Sequence, residues 1–284
     1  MSDHIKIEFE HLKSEQKEII IALLTEMKYE GFEEEDDLLK AFIPSGIYNE
    51  NELKAFCRDR KLSFSVSKLE NKNWNTDWET NFQPVIINHS IDNLPWVAIR
   101  AAFHEPIRDT RHELIITPKM SFGTGHHATT SMMIKMMSGL DFEGKTVLDF
   151  GTGTGILAIL SEKLGALKII AIDNDDQSIK NAGENFESNN CSKIELIEGS
   201  TVNVDIKFDI ILANVIKGVI LDHLTAFTKG MVEGGVILFS GLLPDDEQEI
   251  LEKATRNKLI LDKKVEDKNW ICLQMAYKST GFQR

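Results

Sequence analysis

The run Val147-Leu148-Asp149-Phe150-Gly151-Thr152-Gly153-Thr154-Gly155-Ile156-Leu157 constrains this chain more than any other stretch. An apolar strand leads into glycines at every second position, and these lead into helix-forming residues. Glycine adopts dihedrals that a Cβ forbids and lets backbone approach a ligand closely. Asp149 stands at the end of the strand, where open α/β sheets bind their ligands. The next apolar run, Ile169-Ile170-Ala171-Ile172-Asp173, also ends in a carboxylate, which suits the two hydroxyls of a ribose. The two motifs together imply a nucleoside-containing ligand held across one βαβ unit. The dinucleotide fingerprint G-x-G-x-x-G requires a glycine where Ile156 stands, so an NAD oxidoreductase is disfavoured. The spacing here is G-x-G-x-G, in which close backbone approach matters and a pyrophosphate does not.

A run of β and α segments follows this turn. Leu157, Ile159 and Leu164 mark a helix ended at Gly165, and Ser178 to Asn189 a second helix. Ile194 to Glu198 and Phe208 to Asn214 read as strands, Val219 to Phe227 as a helix, and Gly234 to Ser240 as a fifth strand. Asp245 to Ala254 is helical, and Leu259 to Val265 with Trp270 to Tyr277 makes a closing hairpin. Alternating elements of this kind specify a doubly wound α/β sheet.

The front of the chain has a different layout. Ile5, Ile7 and Phe9 alternate with charged residues as in a half-buried strand. Ser14 opens a helix carrying Ile20, Leu23, Leu24 and Met27, with Gly31 at its end. The acidic run Glu33 to Asp37 suits a solvated hairpin tip. Leu38 to Ile43 is a strand closed by Pro44-Ser45-Gly46. Asn49 or Asn51 opens a helix with Leu53 and Phe56, and Leu62, Phe64 and Val66 alternate again. The order β-α-β-β-α-β over residues 1–70 is that of the small ferredoxin-like α+β domain. Trp74, Trp78 and Phe82 recur every four residues, which predicts a linker helix over 71–82. Residues 83–284 form the remaining domain, opening with strands at Val85-Ile86-Ile87 and Trp96-Val97-Ala98-Ile99 around a turn at Asp92-Asn93. His104, beside a proline turn, reads as structural.

A second glycine loop, Phe122-Gly123-Thr124-Gly125-His126-His127-Ala128-Thr129-Thr130, precedes a helix bearing Met132, Met133, Met136 and Met137. The methionines read as core fill. The glycines, the bulky Phe122 and the hydroxyls suit a cover over a ligand. His126 and His127 have no third ligand at metal-binding spacing, so no metal is expected.

The 45 acidic and 32 basic side chains leave a formal charge of −13. No basic cluster marks a nucleic-acid face, and an acidic surface suits a basic protein partner. Cys57, Cys191 and Cys272 are scattered without metal or redox spacing. The first residues carry no signal-peptide pattern and no apolar run reaches membrane-spanning length, so a cytoplasmic protein is expected.

The assembled motifs resemble those of the class I S-adenosylmethionine-dependent ribosomal protein L-eleven (L11) methyltransferases. The pieces that carry the resemblance are Asn73-Trp74 to Pro84, Phe122-Gly123-Thr124-Gly125-His126 with Thr129-Thr130, Asp149 through Ala158, Ala171-Ile172-Asp173, and Ala213-Asn214. It extends from about residue 71 to the end; Thr152 and Thr154 stand where that family more often has Cys and Ser. The resemblance implies S-adenosylmethionine as cofactor, with contacts at Thr130, Gly151, Asp173 and Asn214. Gly153, Gly155, Asp149 and Phe122 join them from the motif readings above. It also implies that the front domain presents L11, whose α-amine and lysine amines are methylated. Asn214, at the end of the fourth strand, is the expected catalytic residue, since its side-chain oxygen can accept an amine N–H. The alternatives are N-methylation of RNA or another protein, and a non-catalytic cofactor-sensing module. RNA and DNA base methyltransferases typically carry Asn-Pro-Pro-aromatic, where this chain has Asn214-Val215-Ile216-Lys217.

Overall fold

Seven strands of one sheet position everything that follows. In the computed structural model they run in the order β10-β9-β8-β11-β12-β14-β13. The described residues are 4–278, apart from 11, 13–15, 18–19, 22, 25–26, 30, 36–37, 69–82, 89–93, 118–122, 124 and 203–205. The strands are β8 (Thr146–Phe150), β9 (Lys168–Asp173), β10 (Ile194–Glu198), β11 (Phe208–Asn214), β12 (Met231–Leu242), β13 (Leu259–Asp267) and β14 (Trp270–Tyr277). β10, β9, β8, β11 and β12 pair in parallel, while β14 lies antiparallel between β12 and β13. The helices are α2 (Ala128–Met137), α3 (Ile156–Lys163), α4 (Asp176–Ser188), α5 (Lys217–Gly230) and α6 (Glu247–Arg256). Apolar side chains cover both faces of the parallel strands, as a sheet of this kind requires. Strand order reverses between β8 and β11, which opens a crevice at their carboxyl ends. This is the doubly wound α/β sheet that the sequence predicts, with β14 inserted antiparallel before its last strand.

The chain divides into two compact units, Met1–Thr80 and Asn81–Arg284. The first contains β1 (His4–Phe9), β2 (Gly31–Glu35), β3 (Leu38–Pro44), α1 (Glu50–Arg60) and β4 (Phe64–Lys68). Its antiparallel sheet runs β2-β3-β1-β4, with helical residues between β1 and β2 at 16–17, 20–21 and 23–24. That is the ferredoxin-like arrangement. Ile7, Phe9, Leu39 and Ala41 from the sheet pack with Ile20, Leu24, Leu53 and Phe56 from the helical segments. Asn49 caps α1, accepting from the amides of Asn51 and Glu52 at 3.1 and 3.3 Å. Gly31 opens β2 instead of closing the preceding helix, because it pairs with Phe42 across the sheet. Ser14, the expected helix 71–82 with its three aromatics, and the turn at Asp92-Asn93 lie outside the described residues.

The second unit adds a small sheet of β5 (Val85–Asn88), β6 (Pro95–Arg100) and β7 (His112–Ile115), with β6 parallel to β7. The four-residue β7 escapes sequence reading because His112 and Glu113 interrupt its apolar pattern. Glu113 has a partner: the buried Arg100 guanidinium donates to its two oxygens at 2.8 and 3.2 Å, holding its carboxyl below the ordinary range. His104 is structural as expected, its Nδ1 accepting from the Ala101 amide. The four methionines of α2 are all buried in the core. Among the described residues, no helix is long and apolar enough to cross a membrane.

Candidate active site

The turn after β8 is built from positive-φ glycines: Gly151, Gly153 and Gly155 have φ of 73°, 55° and 79°. A Cβ on Gly151 would collide with Val215, and one on Gly155 with the Phe186 ring. Most of the turn's amides and its two threonine hydroxyls are tied down. The amides of Gly151 and Thr152 donate to the Ile172 carbonyl at 2.8 and 2.9 Å. Asp149 is buried; its Oδ2 accepts from Thr152 Oγ1 at 2.6 Å and from the Ala158 amide at 3.1 Å. Burial pushes its carboxyl up to about 7. Asp173, ending β9, accepts from the Gly153 amide at 2.8 Å and from the Asp175 amide at 3.1 Å.

Asn185 on α4 braces this turn from behind, and Asn189, the C-cap of α4, ties the same helix end to β7. Asn185 donates to the Thr154 carbonyl and accepts from the Thr117 amide, both at 2.8 Å. Asn189 accepts from the Ile115 amide at 3.0 Å and donates to the Ile115 carbonyl at 2.7 Å. Sequence reading passed over both residues. Their signal was asparagine at i and i+4 along the end of an otherwise amphipathic helix.

In front of the turn lies a cavity of about 430 Å³. Gly151, Gly153, Asp173, Asn174 and Ser178 form one side, and Asn214, Val215, Ile216, Val219 and Gly241 another. His127, Thr129 and Trp270 complete its lining. The His127 and Trp270 rings meet edge to face, 5.1 Å apart. His127 also caps α2, its Nδ1 lying 2.8 Å from Thr129 Oγ1. Asn214 ends β11, and its Nδ2 donates to Thr130 Oγ1 at 3.4 Å. Its Oδ1 is buried and has no hydrogen-bond partner.

The structure thus brings Gly151, Gly153, Asp173 and Asn214 together around one cavity, as the sequence predicts. Three other expected contacts stand behind that surface. Asp149 holds the turn together, Gly155 makes room for Phe186, and Thr130 is buried in α2 beneath Asn214. Phe122 lies outside the described residues. Trp270, Ser178 and Gly241 were not foreseen. Of these only Gly241 carried a signal, as a glycine at the carboxyl end of a strand beside the crevice. At a φ of 82°, it admits the Val215 backbone where a Cβ would stand 2.5 Å from the Val215 carbonyl oxygen.

The donor set suits an S-adenosyl ligand. A carboxylate stands at the end of β9, positive-φ glycines keep the floor open, and one buried amide oxygen awaits a donor. Among the described residues no three His, Cys, Asp or Glu side chains cluster to hold a metal. The family model described as Ribosomal protein L11 methyltransferase (PrmA) matches residues 4–278. A ribosomal protein L11 methyltransferase of Porphyromonas gingivalis is 36% identical over 267 residues, covering 91% of this chain and 90% of the relative. One from Bacteroides fragilis is 32% identical, with 91% and 93% covered. A crystal structure of ribosomal protein L11 methylase from Lactobacillus delbrueckii subsp. bulgaricus superimposes with a TM-score of 0.58 at 32% identity, covering 64% of this chain and 95% of that one. A match along nearly the whole chain, on a fold and cavity of this kind, means that the chain belongs to the ribosomal protein L11 methyltransferase family.

Proposed function

We propose that this protein transfers methyl groups from S-adenosylmethionine to amines of ribosomal protein L11, both the α-amine and lysine side chains. The observation that carries this reading is the unpartnered, buried Oδ1 of Asn214 on a cavity that also contains Gly151, Gly153 and Asp173. Gly151 and Gly153 let backbone approach the cofactor, and Asp173 accepts from the ribose hydroxyls. Asp149, Gly155 and Thr130 serve by holding the turn and Asn214 in place. The cofactor supplies an electrophilic methyl on a sulfonium.

The residues here must present a neutral amine in line with that methyl. A lysine of pKa about 10.4 costs roughly 4–5 kcal/mol to hold neutral at pH 7, an α-amine near 8 only about 1. Asn214 Oδ1 accepts one amine N–H and so aims the lone pair, and closure of the cavity by substrate removes the water that favours the charged form. Among the residues that line the cavity Asp173 is the one carboxylate, and its two oxygens already accept backbone amides. Positioning and desolvation are what Asn214 and the cavity supply to the rate, and the proton leaves to water. The front unit presents L11, and work on a ribosomal protein is in keeping with a cytoplasmic enzyme.

Incubation with methyl-labelled S-adenosylmethionine, L11 and ribosomal RNA tests this, with mass spectrometry locating the label. Label on L11 amines is the expected result. Label on RNA alone, or cofactor binding without transfer, would replace the reading by one of its two alternatives. A chain of residues 83–284 that folds should still bind S-adenosylmethionine with near-parent affinity and methylate L11 very poorly.

A further inference from the structure

Three features meet at Ile216. It is the N-cap residue of α5, where Ser, Thr, Asp or Asn normally accepts a backbone N–H, and it makes no capping hydrogen bond. It leaves 70% of its surface in water. It also lines the catalytic cavity, two residues beyond Asn214. A lone exposed isoleucine needs no explanation, but one that forgoes a helix cap at the edge of the catalytic cavity does.

Its neighbours are anchored on both sides. On one side the Val215 amide donates to the Ser240 carbonyl at 3.1 Å, and Gly241 lets the Val215 backbone settle against the end of β12. On the other, Lys217 Nζ bonds Asp246 at 2.9 Å and Glu249 at 3.2 Å, while Asp246 also accepts from the Leu243 amide at 2.9 Å. The segments after β11 and β12 are thereby joined, and the side chain between these anchors is held at the cavity edge. The joined segments carry acidic side chains, Asp245, Glu247 and Glu249 among them. Those at Asp246, Glu247 and Glu249 are taken up by Lys217 and Lys264, so what this edge offers a substrate is its apolar shoulder, two residues from Asn214, and that suits the methylene stem of an amine-bearing side chain.

We propose that Ile216 is a specificity-determining residue on whose exposed face the methylene stem of a target lysine lies as its amine reaches Asn214. The inference rests on the N-methyltransferase reading above. Covering the isoleucine removes apolar surface from water on both partners, which adds affinity for lysine stems and gives nothing to the cofactor.

The experiment uses the full chain with L11 and compares Ile216→Ser and Ile216→Leu with the parent. Serine restores a capping side chain, so the melting temperature should hold or rise. The KM for lysine methylation should rise about tenfold with kcat little changed, the pattern of lost substrate binding. S-adenosylmethionine affinity by calorimetry should stay within about twofold, and Ile216→Leu should recover most of the lysine KM. Ile216→Asn, a second capping substitution, should repeat the serine result. A serine variant that keeps the parent's KM overturns the inference, as does one that loses cofactor affinity in step with KM, or a leucine variant that restores nothing. A parent chain that methylates neither the α-amine nor any lysine overturns the N-methyltransferase reading and this inference together; one that methylates the α-amine alone, or methylates lysine beside an unaffected serine variant, overturns this inference alone.

Discussion

The two walls of the cavity are built on opposite plans. On the β8–β9 side the polar groups answer one another: Asp149 holds Thr152 and Ala158, Asp173 holds Gly153, and the Ile172 carbonyl holds two amides. On the β11–β12 side groups are left open: Asn214 Oδ1 has no partner and Ile216 caps nothing. A closed hydrogen-bond network fixes a shape before the ligand arrives, so little ordering remains to be done on binding. An unsatisfied buried acceptor costs free energy until something donates to it, and of the buried unpartnered atoms among the described residues Asn214 Oδ1 is the one on the cavity lining, where a substrate can supply the donor. The difference teaches which wall serves a constant ligand and which serves the reacting group.

The largest effect is expected at the open wall. Asn214→Ala removes the acceptor that aims the amine, and misplacing a nucleophile costs roughly a hundredfold or more in rate. Cofactor affinity should fall far less, because the β8–β9 wall is untouched. Single-turnover rates at saturating cofactor and substrate measure the first quantity and calorimetry the second. Rates within about threefold of the parent would remove Asn214 from the reaction.

At the closed wall, Asp173→Ala deletes a charge-assisted acceptor for the ribose, worth roughly 1.5–3 kcal/mol, or about 10- to 150-fold in cofactor affinity. It also frees the Gly153 amide, so part of the loss comes through the turn. The fold should survive, since Asp173 lies at the end of its strand. Unchanged S-adenosylmethionine affinity in a folded variant would end the ribose assignment. The smaller effect at the cavity edge, about tenfold in lysine KM for Ile216→Ser, sharpens the contrast by moving substrate binding without moving cofactor binding.

The two walls also differed in how far the sequence could be read. The closed wall announces itself, because glycines at alternate positions and a carboxylate at the end of an apolar run are short-range patterns with one physical purpose. The doubly wound sheet followed from the same local periodicity, and so did the β-α-β-β-α-β layout of residues 1–70. Asn214 was legible because it closes an apolar strand. The rest depends on contacts between distant segments. Asn185 and Asn189 meet residues some seventy positions earlier in the chain. Trp270 enters from the last hairpin, and Ile216 is noteworthy only once it is seen to be both exposed and at a helix start. Asp149 was legible as important but misjudged in role. Its place before the glycines suggested a ligand contact, whereas full burial turns it inward to hold the turn.

That inward role makes the last prediction a matter of pH. Burial raises the Asp149 carboxyl from 3.8 to about 7, against the pull of its two hydrogen bonds. The folded state therefore holds this proton more tightly than the unfolded chain does. The resulting stabilisation is fully present below about pH 4 and is lost as pH rises toward 7. Asparagine has nearly the same shape, keeps an oxygen to accept from Thr152 and Ala158, and does not titrate. The melting temperature of Asp149→Asn relative to the parent should thus climb between pH 5 and pH 8, by a few degrees. Cofactor affinity should change by no more than about twofold, since the side chain does not reach the cavity. A melting-temperature difference that stays constant across this range would mean that Asp149 is already ionised at pH 5. A large loss of affinity with the fold intact would mean that the carboxylate acts on the ligand after all.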